Sequence, residues 1–224
     1  MIVGLGFRAG SGKDTVANYL IDKYNFKKTS MAESIKEGIG RGVFGFTDEQ
    51  LYGDLKEIVD EFWDSRLNIY EKVNEFGQKE VFPLSQEDVD EHGIELDLSF
   101  KRLPITPRLV LQLGGTEGGW KVFGKPLWIE TVYRRISQSD HTDWVIPDVR
   151  YPSEAQAVKD WGGTLIRVDR VNAGVRLGVP AHSSETSMQG YDGWDFAVNN
   201  NGDLEGLFAK VDNIIKSKLK KTDR

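Results

Sequence analysis

The chain has 224 residues, 39% of them hydrophobic and 29% charged, with a formal net charge of −6, enough for one domain with a real core and an inserted lobe. It has no cysteine and three histidines (His92, His141, His182), which excludes disulfides, thiolate metal sites and a cysteine nucleophile, and weighs against a histidine-built metal centre. The acidic balance argues against a general nucleic-acid binder, no apolar run reaches the roughly 20 residues that span a bilayer, and the short apolar N-terminus lacks a signal peptide's positive region, so a cytoplasmic protein is expected.

Met1 to Leu5 is a short apolar run ending at glycines, which predicts a buried parallel strand. Helical spacing starts at Lys13, with Val16, Leu20 and Ile21 on one face, and ends near Tyr24-Asn25. Phe26 to Thr29 reads as a second short strand and Ala32 to Gly38 as a helix. Across 48–76, Leu51, Leu55, Ile58 and Phe62 recur at intervals of four, three and four, which predicts an amphipathic helix with acidic outer positions. Residues 85–97 hold six acids and no base and read as an exposed loop. Arg108 to Leu113 reads as helix, Trp144 to Ile146 as a strand ending at Asp148, and Glu154 to Trp161 as helix. Thr164 to Val168 and Phe196 to Val198 are β-rich, and Asp203 to Leu219 forms the last helix. Strands alternating with helices imply an α/β fold with a parallel sheet covered on both faces. The 45–107 region interrupts that rhythm and is the expected insertion.

Between the first strand and helix lies "GLGFRAGSGKDT". The phosphate-loop pattern is Gly, four residues, Gly-Lys, then Ser or Thr. Here Phe7 stands where the first glycine belongs, and Asp14 follows Lys13, with the hydroxyl one place later at Thr15. A strand, a glycine-rich turn and a helix starting at the lysine still form a phosphate cradle. Backbone N–H groups of Gly10, Ser11, Gly12, Lys13, Asp14 and Thr15 would face an anion at the positive end of the helix. Asp14 either helps hold Mg²⁺, directly or through water, or acts as a first-turn acid.

Other clusters carry charge suited to phosphate. "WVIPDVRYPSEA" sets Asp148 and Arg150 just past a strand's C-terminal end, where open α/β sheets bind ligands; Asp148 there would reach Mg²⁺ through water or accept a sugar hydroxyl, and Arg150 would clamp a phosphate. The alternative is a surface ion pair. In "TPRLVLQLGGTEGGW", Arg108 and Gln112 share a helix face that Gly114-Gly115-Thr116 would close. Arg170 and Arg176 flank a glycine-containing stretch, as a lid over a transferring phosphoryl would require. His182 and Ser184 lie close together in "AHSSETS", yet no nucleophile elbow accompanies them.

The ordered set "AGSGKDTVA", "FTDEQLYGDLKE", "TPRLVLQLGGTE", "PLWI", "VIPDVRYPSEAQAV", "HSSE" and "VNNNGDLEGL" resembles the bacteriophage-type deoxynucleoside monophosphate kinases over most of the chain, weakest across 70–103 and the last ten residues. The resemblance implies a P-loop kinase fold: a three-layer α/β/α domain with a mostly helical substrate-binding lobe at about 45–107 and a lid at about 170–187. It implies transfer of the ATP γ-phosphoryl, with Mg²⁺, to a deoxynucleoside monophosphate in the cytoplasm (the host's, if phage-encoded), with small-molecule partners only and the option of a homodimer. It places ATP on Gly10 to Thr15 with Asn200 near the adenine. Lys36, Lys56, Arg108, Gln112, Thr116, Glu117, Trp128, Asp148, Arg150 and Glu154 fall on motifs similar to those lining the monophosphate site, and Arg170 and Arg176 on the lid. Lys13, Arg150, Arg170 and Arg176 are the expected catalytic cations, and Asp14 and Asp148 the expected Mg²⁺ carboxylates. Two departures stand out: Phe7 in the loop, and Trp120 where relatives tend to carry an arginine, with Lys121 beside it as a substitute. Kinases for dephospho-coenzyme A or phosphomevalonate would share loop and lid, and a nucleotide-binding module without turnover would share the loop.

Overall fold

A computed structural model describes residues 1–83, 100–124, 126–171, 173 and 187–222; the side chains of Thr116, Glu117 and the last three of these residues lie outside it. The chain divides into two compact units, Met1–Ser34 with Lys125–Arg224, and Ile35–Gly124.

The first unit is built on a five-stranded parallel sheet. Its strands are β1 (Ile2–Gly6), β2 (Lys27–Lys28), β6 (Trp144–Val149), β7 (Thr164–Asp169) and β8 (Phe196–Asn199), ordered β2-β6-β1-β7-β8. Alternation along these strands feeds two cores. Val3, Leu5, Val145, Ile166 and Val198 pack with Val16 and Leu20 of α1 (Lys13–Tyr24) and Leu207, Val211 and Ile215 of α8 (Leu204–Thr222). On the other face, Ile146, Val149 and Leu165 meet Val132 of α6 (Leu127–Ser137) and Ala155 and Val158 of α7 (Pro152–Asp160). Helices thus cover both faces, which gives the expected three-layer α/β/α arrangement. Helix α1 ends where expected because Asn25 turns left-handed (φ 57°) and its N–H returns to the Ile21 carbonyl.

The register between β1 and β6 shifts between Gly4 and Gly6, which pair with Ile146 and Val149. Pro147, with no N–H for the ladder, sits inside this bulge. Its effect is to re-aim Asp148 at the C-terminal edge of the sheet, one strand from the phosphate loop.

The second unit holds a π-helix (Ile35–Val43), α2 (Asp48–Leu51), a 3₁₀ turn (Asp54–Glu57), α3 (Glu61–Asp64), the antiparallel strands β3 (Ile69–Val73), β4 (Lys79–Pro83) and β5 (Phe100–Leu103), and α4 (Pro107–Gln112), which runs on through a π-helix (Leu113–Trp120) into α5 (Lys121–Phe123). Its core is Phe46, Leu51, Ile105 and Val110 with their neighbours. Two sequence expectations are corrected here. The lobe read as mostly helical also carries the sheet β4-β3-β5, and the single amphipathic helix over 48–76 is three short turns that leave Leu55, Ile58 and Phe62 exposed. The expected insertion, 45–107, falls within this longer unit. The acidic stretch 85–97 lies outside the described residues.

Candidate active site

β1 delivers the chain at Gly6 to a loop over residues 7–12, and α1 starts at Lys13. Phe7, Gly10 and Gly12 have φ of 100°, 73° and 100°. At Gly12 a Cβ would be strained and would also overlap the side-chain amide of Asn200. Asn200 donates its Nδ2–H to the Ser11 carbonyl at 2.9 Å, and Ser11 is wholly buried. The Lys13 ammonium lies across the loop, 2.6 Å from the Arg8 carbonyl oxygen and 3.3 Å from that of Phe7. A cation held over its own loop, at the positive end of α1, is the arrangement an incoming phosphate requires.

Phe7 solves the missing-glycine problem in an unexpected way. It adopts the left-handed backbone a glycine would, at a strain of about 1–2 kcal/mol. Its ring is held against two guanidinium groups, Arg8 at 5.1 Å and Arg167 at 4.7 Å. Asp169 fixes Arg167 through Nε (2.7 Å) and Nη2. Just before it, Gly6 lies so close under Trp194 that a Cβ would overlap the indole. Phe7, Arg8, Arg167, Tyr191, Trp194 and Phe196 are among the walls of a cleft of about 680 Å³ beside the loop.

Asp14 sits in the first turn of α1 with its carboxylate 80% exposed and Lys28 at 3.4 Å. Thr15 follows it in the same turn. At the end of β6, Asp148 accepts the backbone N–H groups of Met31 (3.1 Å) and Ala32 (3.3 Å) on its two oxygens, so it pins the segment that leaves β2. Arg150 is exposed, and no carboxylate forms a salt bridge with it among the described residues. Glu154 is 7% exposed. Its Oε2 accepts the N–H of Arg150 at 2.7 Å and of Tyr151 at 3.1 Å. Burial, aided by the nearby Asp148 charge and opposed by these amides, pushes its carboxyl up to about 8. Glu154, expected among the residues lining the monophosphate site, is thus buried with its carboxyl group turned to the backbone.

The ends of β7 and β8 are stitched together beside the loop. The Asn200 N–H reaches the Asp169 carbonyl at 2.6 Å, and the Val171 N–H reaches Asn201 Oδ1 at 2.7 Å. Arg170 stands exposed at this junction. Trp128 lies in the first turn of α6. Within the second unit, the Lys36 ammonium stands 4.2 Å above the Tyr52 ring, Lys56 lies on the 3₁₀ turn, and Arg108 pairs through Nε with Glu57. Gln112 is exposed at the end of α4. The glycines after it do not close the helix; Gly114 and Gly115 instead let it pass close to Ile39 and Ile35. The side chains of Thr116 and Glu117, and Arg176, His182, Ser184 and most of the expected lid, lie outside the described residues.

A family model described as deoxynucleotide monophosphate kinase matches residues 101–211. An Acanthamoeba polyphaga mimivirus protein, provisionally named a deoxynucleotide monophosphate kinase, is 27% identical over 94% of each chain. The deoxynucleoside-5′-monophosphate kinase of Escherichia phage T5 is 27% identical over 71% of this chain and 72% of its own. The deoxynucleotide monophosphate kinase of Enterobacteria phage T4 is 26% identical over 92% and 95%. The chain is similar to deoxynucleotide monophosphate kinases over nearly all of its length.

The site depends on residues that spacing did not reveal. Arg135, on α6, donates to Thr29 Oγ1 (2.6 Å), Glu33 (2.8 Å) and Ser34 (3.1 Å), holding the same segment that Asp148 caps. Arg167, fixed by Asp169, supports the Phe7 ring, and Trp194 packs over Gly6 just before it. The departure at Phe7 was the one signal in the sequence that some such support was needed; for Arg135 there was none. Among the described residues no three His, Cys, Asp or Glu side chains cluster as a metal cage. That donor set fits Mg²⁺ only as an ion carried mainly by phosphate oxygens and water, with one carboxylate at the loop. Exposed Asp14 suits that role better than Asp148, whose oxygens already receive backbone amides.

Proposed function

We propose that the chain is a deoxynucleoside monophosphate kinase, transferring the γ-phosphoryl of ATP to a deoxynucleoside monophosphate to give the diphosphate and ADP. The observation that carries the reading is the loop itself: strand, positive-φ turn and helix, with the Lys13 ammonium poised over the turn. When ATP binds, Lys13 exchanges the carbonyls of Phe7 and Arg8 for phosphate oxygens, and the first-turn amides of α1 meet the same anion. The adenine lies near Asn200, which also holds the loop through Ser11, and Arg170 belongs to the lid, where its charge would neutralise the transferring phosphoryl. Arg150 takes the acceptor phosphate, with Trp128 nearer its base; Lys36, Lys56, Arg108 and Gln112 are assigned to the monophosphate on the resemblance alone.

An oxygen of the monophosphate attacks the γ-phosphorus, the bond to the β,γ-bridging oxygen breaks, and ADP leaves. The attacking group is already anionic, so no general base is needed. Positioning and charge neutralisation supply the rate. Asp14 would help hold Mg²⁺ beside the phosphates, where the ion would supply Lewis-acid neutralisation of the transferring group. The test is ADP release in the presence of each common deoxynucleoside monophosphate, with dephospho-coenzyme A and phosphomevalonate as competing acceptors. Turnover is expected with at least one monophosphate and neither competitor; acceptor-independent silence would instead favour a binding module.

A further inference from the structure

We infer that Glu154 is a positioning residue for the acceptor: its buried carboxyl group fixes the turn that presents Arg150, without touching ligand. The inference rests on the reading of Arg150 as the acceptor's phosphate clamp.

Strand β6 makes its last ladder pairing at Val149, and α7 begins at Pro152, so Arg150 and Tyr151 form a two-residue crossover with no ladder partners. Their consecutive amides both donate to Glu154 Oε2, at 2.7 and 3.1 Å. Pro152 has no N–H to contribute at the start of the helix. One oxygen atom thus holds both peptide planes on which the Arg150 side chain depends. Glu154 sits on α7, whose Ala155 and Val158 are wholly buried in the sheet's core, so the crossover is tied to the most rigid part of the unit. The other end of the crossover is fixed by the β6 bulge. Arg150 is therefore exposed at its tip and clamped at its base, and a bidentate clamp needs that fixed base more than a point charge would. At 7% exposure, Glu154 presents no surface to a substrate.

The test compares Glu154→Asp, Glu154→Gln, Arg150→Ala and the Glu154→Asp/Arg150→Ala double variant by steady-state kinetics. Aspartate keeps the carboxyl group but falls a methylene short, whereas glutamine keeps an oxygen acceptor at full reach. Glu154→Asp should raise the monophosphate KM roughly 5- to 20-fold with the ATP KM within about twofold, since a small misplacement of a binding group acts on that substrate alone. Glu154→Gln should stay within about threefold of the parent, and Glu154→Asp should add nothing in the Arg150→Ala background, as expected for residues acting as one unit. A Glu154→Gln variant impaired as much as Glu154→Asp, or additive losses in the double variant, would overturn the inference. An Arg150→Ala variant with a normal monophosphate KM would sink the reading of Arg150 instead. Melting curves of all four identify any variant that has lost its fold, and the Glu154→Gln comparison, which retains the hydrogen bonds, still decides the question.

Discussion

Phe7 shows what single residues contribute to the loop and how far sequence alone could go. A motif search sees a missing glycine. The structure shows the glycine's backbone kept by a phenylalanine, whose ring rests against Arg8 and Arg167. Lys13, Gly10 and Gly12 were legible because backbone geometry and charge dictate their types; Arg167 reaches the ring from β7, too far along the chain for spacing to reveal. The support pre-orders the loop's entry, so Phe7→Gly should raise the ATP KM roughly 3- to 10-fold by loosening an ordered site, while relief of the left-handed strain offsets part of the lost ring packing in stability. An unchanged ATP KM would show that the backbone conformation alone suffices. Asp14 is a simpler case. If its exposed carboxylate helps hold Mg²⁺, Asp14→Asn should shift the Mg²⁺ concentration for half-maximal turnover upward; if it only complements the helix dipole, a melting curve should show a loss of about 0.5–1 kcal/mol and the Mg²⁺ titration should not move.

Elements whose pattern answers to burial against the core were read correctly, and those built from local caps were not. β1, β6 and β7 are apolar runs packed on both sides, and α1 and α8 carry apolar stripes against one core. The 48–64 stretch has helical spacing too, but local signals break it. Thr47 and Asp60 each cap a fresh turn by accepting the N–H of Gln50 and Trp63, and Glu49 accepts the N–H of Asp54 just past Gly53. The β3–β4 hairpin was missed because its turn, with Gly77 at φ 73° and Asn74 Oδ1 accepting two amides, joins strands without alternation. Between correctly read elements, the polar contacts set the acid behaviour. Asp212 of α8 accepts from Lys23 (2.6 Å), Tyr19 (2.7 Å) and Tyr24 (2.9 Å) of α1, and chiefly the Lys23 ammonium holds its carboxyl down to about 2. A carboxyl depressed on folding contributes stability that is present above its unfolded value and lost as pH falls through the folded one. Asp212→Asn should therefore lower the melting temperature at neutral pH, and the gap to the parent should close between about pH 4 and pH 2. A gap constant over that range would show that the ion pair contributes nothing.

At the scale of the whole molecule, the two units differ in how much apolar surface they bury, and this sets which of them opens first. In the first unit, β1, β6 and β7 lie between two helical layers, with Leu5, Val145, Ile146, Leu165 and Ile166 fully buried. In the second, four of the described residues form the buried core. Leu55, Ile58 and Phe62 are 43%, 58% and 56% exposed. An apolar hollow of about 220 Å³, partly open to the surface, is lined by Ile39, Phe44, Leu67, Ile69, Ile105 and Leu109, among others. Few buried contacts and an apolar hollow both lower the free energy of local opening. Amides of β3, β4 and β5 should therefore exchange with solvent faster than those of β1, β6 and β7, by roughly tenfold or more for each 1.4 kcal/mol of difference in opening energy. Val110→Ile, which adds one methylene beside the hollow, should slow exchange in β3 and β5 selectively, with a gain of about 0.5–1 kcal/mol if the group finds room. Hydrogen-exchange mass spectrometry of the parent and the variant reads both effects. Equal protection of the two sheets would mean that the hollow and the exposed apolar side chains do not govern stability. Slower exchange of β1 in the Val110→Ile protein would show that the units unfold together.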